Sequence, residues 1–124
     1  MDIIISNSSN SPIYEQITAQ IKNLILNGTL NEGDALPSMR LLAKELRVSV
    51  ITTKRAYEEL EREGFIVSFT GKGSFVNTKN TELIKEEQLR RVEESLSNAI
   101  SIAKSSGITK DEIKDLFKIL CDDM

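Results

Sequence analysis

Apolar side chains at Ile13, Ile17, Ile21, Leu24 and Ile25 recur at steps of three and four, which gathers them on one helical face. Ser11 followed by Pro12 supplies a cap and a first helical position, and Asn27-Gly28 a stop, so a first helix is predicted over about residues 12 to 27. The stretch TLNEGDALP is rich in turn formers. Ser38 then caps a short second helix whose stripe is Leu42, Ala43 and Leu46, ending near Arg47. After a brief break Ser49 caps a third helix, with Thr53, Ala56, Tyr57 and Leu60 on its core face and Gly64 as its stop. Two short helices joined so tightly predict a helix-turn-helix. The β-prone runs FIVSF and SFVNT bracket Thr70-Gly71-Lys72-Gly73, a hairpin with glycines at its tip. A hairpin directly after the third helix is a wing.

From about Thr81 a long helix is predicted, with Leu89, Val92, Leu96, Ala99 and Ala103 alternating at steps of three and four, a heptad seam. Gly107 ends it, Thr109 to Glu112 is a capping box, and Ile113, Leu116, Phe117 and Leu120 line a last helix. The seam has two available covers, its own wing domain or a second chain. A helix of roughly 25 residues spans about 37 Å, longer than the face of a small domain, so a second chain is the natural cover. The expected dimer interface is therefore Leu89, Val92, Leu96, Ala99, Ala103, Leu116, Phe117 and Leu120. The fold class that follows is mainly α with a small β-hairpin: a winged helix-turn-helix domain over residues 1–78 and a C-terminal α-helical hairpin over 79–124.

Composition narrows the chemistry. With no histidine and one cysteine, the chain lacks ligands for a thiolate or imidazole zinc site, a partner for an intramolecular disulfide, and the usual general base of nucleophilic catalysis. Cys121 reads as a small residue near a helix end, or alternatively as half of an intermolecular disulfide. No enzyme activity, metal or cofactor is expected. Gly71-Lys72-Gly73-Ser74 does not meet the spacing of a phosphate-binding loop, which needs lysine followed at once by serine or threonine. No run approaches the roughly 20 apolar residues of a membrane span, and MDIIISNSSN lacks a signal-peptide layout, so a cytoplasmic protein without a membrane partner is expected.

The net charge of −3 runs against nucleic-acid binding, but distribution matters more than the sum. Arg40, Lys44, Arg47, Lys54, Arg55, Arg62 and Lys72 crowd residues 38–72, while Glu58, Glu59, Glu61 and Glu63 gather at the far end of the third helix. Over residues 36–76, LPSMRLLAKELRVSVITTKRAYEELEREGFIVSFTGKGSFV resembles the GntR family of bacterial regulators. The opening SPIYEQI and the short helical tail are similar to its YtrA-type subfamily.

The resemblance implies a sequence-specific DNA-binding regulator, a repressor that binds an inverted-repeat operator on double-stranded DNA as a homodimer. Ser38 and Arg40 match the family positions that grip DNA at the start of the second helix, Arg40 also suiting a guanine edge. Thr52 and Lys54 match positions facing the major groove, Gly71 the wing glycine, and Lys72 adds charge beside it. Val50 and Ile51 depart from relatives that carry polar or arginine side chains there, and apolar groups at these positions suit thymine methyls or act as shielded spacers. Phe69-Thr70 likewise stands where many relatives have an arginine before the wing glycines. The candidate DNA-binding set is Ser38, Arg40, Val50, Ile51, Thr52, Lys54, Arg55, Gly71 and Lys72. A tail of 79–124 is too short for a separate ligand domain, and no small-molecule effector is assigned. The competing reading is a winged-helix module for protein contact, its basic residues serving solubility.

Overall fold

Of the helical stripe that opens the pattern, Ile17, Ile21 and Ile25 are buried in the computed structural model, which describes residues 1–77 and 81–124. They belong to α1 (Ile13–Leu26), which is followed by α2 (Met39–Leu46), α3 (Val50–Arg62), β1 (Ile66–Phe69), β2 (Gly73–Val76), α4 (Thr81–Ser105) and α5 (Lys110–Asp122). The chain forms two compact units, Met1–Ile84 and Lys85–Met124, divided within α4. The domain boundary expected at residues 78 and 79 lies outside the described residues.

The first unit is a winged helix-turn-helix. Its core joins the isoleucines of α1 to Leu42 of α2, Ala56, Tyr57 and Leu60 of α3, Phe65, and Ile66 and Val76 of the hairpin. α1 starts one residue later than the sequence suggests: Pro12 is the N-cap, and its carbonyl accepts from the N–H groups of Glu15 and Gln16. Pro12 has extended backbone at ψ 151, so Ser11 stands outside the helix instead of capping it. Ser38 and Ser49 do cap α2 and α3, accepting from Leu41 N–H and Ile51 N–H. Between these helices Arg47 takes the left-handed conformation at φ 58, and Val48 N–H reaches back to the Ala43 carbonyl, which reverses the chain within three residues.

Two buried hydroxyls set the position of α3 against the start of α2. Thr53 Oγ1 donates to the Met39 carbonyl at 2.9 Å, and the Tyr57 hydroxyl donates to the Pro37 carbonyl at 2.7 Å. Burial pushes the Tyr57 phenol above its ordinary value, and Glu45 acts in the same direction. Above about pH 10 the unfolded chain releases this proton while the folded chain keeps it, so stability is lost as pH rises through that range. Chemical denaturation on either side of pH 10 is expected to show this decline, and Tyr57→Phe to flatten it; an equal slope in both proteins would remove Tyr57 as its source.

β1 and β2 pair antiparallel, with Ile66 opposite Val76 and Phe69 opposite Gly73. Lys72 N–H closes the turn onto the Phe69 carbonyl, with Gly71 at φ +76, a region glycine enters without steric cost. The loop read from sequence as turn-rich does more than turn. Leu36 N–H donates to Ser74 C=O, Val76 N–H to Asp34 C=O, and Ala35 bridges Phe75, so residues 33–36 cover the outer edge of β2.

The N-terminal residues, to which the sequence pattern assigns no element, are also ordered by hydrogen bonds. Gln20 pairs its side-chain amide with both N–H and C=O of Ile4, at 2.9 and 2.7 Å. Gln16 does the same with Ser6, at 2.8 and 3.0 Å. One helical turn between the glutamines, about 6 Å, matches the two-residue repeat of extended chain, about 6.6 Å. Ile3, on the alternate face, is buried in the core, with Ile5 packed against it.

In the second unit α4 ends at Ser105, Gly107 takes φ +74, and α5 opens with the complete capping box of Thr109 and Glu112. Ala103 is buried by its own hairpin, which leaves it little surface for a partner. Leu89, Val92, Leu96, Leu116, Phe117 and Leu120 are instead exposed. A cleft of about 510 Å³ opens between the helices, lined by Leu96, Ala99, Ile100, Leu116, Phe117 and Leu120 among others.

Candidate nucleic-acid interface

Because Thr53, Ala56, Tyr57 and Leu60 turn inward, helical geometry turns Ile51, Lys54, Arg55 and Glu58 outward. Ile51 is 78% exposed and Val50 43%, high values for large apolar side chains at the start of a helix. Thr52 is half-buried at the margin of this face. Beside it, a cleft of about 340 Å³ is lined by Ser38, Met39 and Arg40 of the α2 start, Val50 and Tyr57 of α3, and Gly73 and Ser74 of the wing. The first turns of both helices and the hairpin thus share one surface. Ser38 uses its oxygen to accept from Leu41 N–H at 3.1 Å, which leaves its proton available to an acceptor.

The acids of α3, which the sequence shows only as a cluster, are mostly occupied. Glu59 pairs with Arg62, Glu63 with Lys22 of α1, and Glu61 accepts from Ser68 N–H of β1 at 3.1 Å. Glu58 meets Lys54 at 3.9 Å, a long and solvated contact worth about 0.5 kcal/mol at most, which a phosphate readily replaces. Arg40, Arg55 and Lys72 form no ion pair among the described residues. The charge balance of this surface is therefore more positive than the residue count over 38–72 implies. Arg55 is distinguished from the others by its packing, its guanidinium carbon lying 3.8 Å from the centre of the Tyr14 ring. Nothing in the local sequence marks Tyr14 as part of this surface; only the crossing of α1 over α3 brings it there.

Residues 13–76, which include both helices and the wing, match the model of the bacterial regulatory proteins of the gntR family. The chain belongs to the GntR family. It is similar to the HTH-type transcriptional repressor YtrA of Bacillus subtilis (strain 168), at 34% identity over 122 residues that cover 98% of this chain and 94% of that one. A GntR family transcriptional regulator from Listeria monocytogenes superposes with a TM-score of 0.71 at 34% identity, over 92% of this chain and 97% of the other. The DNA-binding domain of AraR, solved in complex with operator ORE1, superposes with a TM-score of 0.52 at 25% identity, over 61% of this chain and 93% of that one. This GntR-family chain thus has the mainly helical winged fold that the sequence predicts, and its relatives are regulators, a class without enzymatic chemistry. Among its described residues no helix is long and apolar enough to cross a membrane.

Proposed function

We propose that this chain is a transcriptional repressor that binds an inverted-repeat operator as a homodimer, reading sequence through α3 and gripping phosphate through the α2 start and the wing. The observation that carries the reading is the cleft that Arg40 at the start of α2 shares with Val50 of α3 and with Gly73 and Ser74 of the wing, beside an outward face of α3 on which Ile51 and Lys54 are exposed. Exposed apolar side chains such as Val50 and Ile51 gain nothing in a free monomer, whereas thymine methyls in a major groove give them apolar contact. Arg40 suits phosphate or the guanine edge, and the backbone at Gly71 permits close approach, a Cβ there meeting nothing of the protein itself within 4 Å. The AraR domain, solved with an operator, supports duplex DNA as the partner. YtrA, named a repressor, supports repression.

The exposed apolar residues of α4 and α5 support the dimer. A two-fold pair is the commonest way to close such a patch, and symmetric wings ask for symmetric half-sites about one helical turn, or a small multiple, apart. Operators selected by the full chain from random duplexes are expected to be inverted repeats bound in the presence of nonspecific competitor. On such an operator Arg40→Ala is expected to cost about 1–3 kcal/mol if Arg40 reads a base. Wild-type affinity of this variant in fluorescence anisotropy would take Arg40 out of the interface. Binding abolished by competitor would favour the protein-contact module instead.

A further inference from the structure

Arg55 is an exposed side chain held in one place. Its guanidinium lies over the face of Tyr14 at 3.8 Å from the ring centre, and no carboxylate pairs with it among the described residues. The acids nearest in sequence are engaged elsewhere: Glu59 pairs with Arg62, Glu58 meets Lys54, and Glu15 accepts from the Tyr14 hydroxyl at 3.2 Å. Tyr14 is itself packed against the core, so the ring is a fixed platform in the first turn of α1. A stacked guanidinium keeps its N–H donors in its own plane, directed away from the ring, and loses less freedom when it takes up a second partner. Arg55 follows Ile51 by one helical turn on the outward side of α3, toward α1.

We propose that Tyr14 is a positioning residue for DNA binding: it holds the Arg55 guanidinium at the α1 edge of the recognition surface, where Arg55 takes a backbone phosphate. The proposal rests on the duplex-binding reading above and extends the contact surface from the helix-turn-helix to α1. A phosphate contact carries no sequence information, so the pair contributes affinity and register on the duplex without altering base preference. The planar fork is what the ring orients, which makes lysine an inadequate replacement.

The test is titration of the full chain against the operator it selects from random DNA and against a scrambled duplex of equal length, over a series of salt concentrations. Arg55→Ala is expected to weaken both duplexes by about tenfold and to lower the salt slope by about 1. Tyr14→Leu, which keeps an apolar side chain on the core, is expected to weaken both by about fivefold. Tyr14→Phe retains the ring and is expected to bind as wild type, and the Tyr14→Leu/Arg55→Ala double variant to bind no worse than Arg55→Ala alone. Arg55→Lys, at an exposed site that does not threaten folding, is expected to lose affinity with the salt slope unchanged.

Additive losses in the double variant, a Tyr14→Phe loss equal to that of Tyr14→Leu, a changed base preference in Arg55→Ala, or wild-type binding by Arg55→Lys would each overturn the proposal. If the wild-type chain discriminates between no duplexes, the duplex-binding reading itself has failed. If it discriminates and Arg40→Ala weakens it while the Tyr14 and Arg55 variants bind normally, only the positioning role has failed.

Discussion

Leu96→Asp in the full chain is expected to sediment as a monomer and to bind a complete operator little better than a half-site. Leu96 lines the apolar cleft between α4 and α5 and is 41% exposed, so the substitution places a charge on an open face instead of hollowing a core. In the proposed dimer that face is covered, and an unpaired carboxylate buried there costs several kcal/mol. Joining two recognition surfaces makes the second half-site contact intramolecular, which multiplies affinity by about 10²–10⁴ without any new base contact. The variant forfeits that factor while half-site affinity is unchanged, and sedimentation with anisotropy on both duplexes reads the two effects separately. A stable dimer, or undiminished affinity for the full operator, would place the pairing surface elsewhere. A truncation is the blunter instrument, because Ile84 packs against the core of the first unit and must be retained.

The second large effect contrasts two apolar residues of α3. Leu60→Ala is expected to destabilise the fold by about 2–5 kcal/mol, the usual range for emptying a packed leucine site. Leu60 is fully buried, and its carbonyl receives Phe65 N–H at 2.9 Å where the chain turns from α3 into the wing. Such a loss is a large share of the roughly 5–15 kcal/mol that holds an ordinary domain together. Ile51→Ala, at a position 78% exposed, is expected to change stability by no more than about 0.5 kcal/mol while weakening operator binding. Urea melts of both variants check the ordering. An Ile51→Ala melt as impaired as that of Leu60→Ala would mean that Ile51 serves the core.

The helices and the wing were legible because periodicity and turn chemistry act locally. Ile17 and Ile21, Ala56 and Leu60, and the Thr109–Glu112 box each declare their surroundings within one or two turns of chain. What escaped depends on how distant segments meet. The stack of Arg55 on Tyr14 exists only because α1 crosses α3, and neither residue has a neighbour in sequence that hints at the other. The cover of the β2 edge by residues 33–36 is a backbone pairing, to which side-chain identity contributes little. Ala103 fits a heptad seam by spacing, yet it is buried by its own hairpin; spacing identifies a face but not its partner.

The paired amides of Gln16 and Gln20 resolve an ambiguity that the three consecutive isoleucines Ile3, Ile4 and Ile5 would otherwise leave open. An extended segment of identical apolar residues can slide along a core with little change in the surface it buries, and a shift by one reverses which side chains face inward. Two anchoring points two residues apart, above two inward sites filled by Ile3 and Ile5, fix which side of the segment faces the core. Sliding by one residue in either direction would turn Ile4 inward together with Asp2 or Ser6, setting a polar side chain against the core. The arm before α1 is thus registered as a strand is in a sheet, with two glutamines on a helix taking the part of the neighbouring strand.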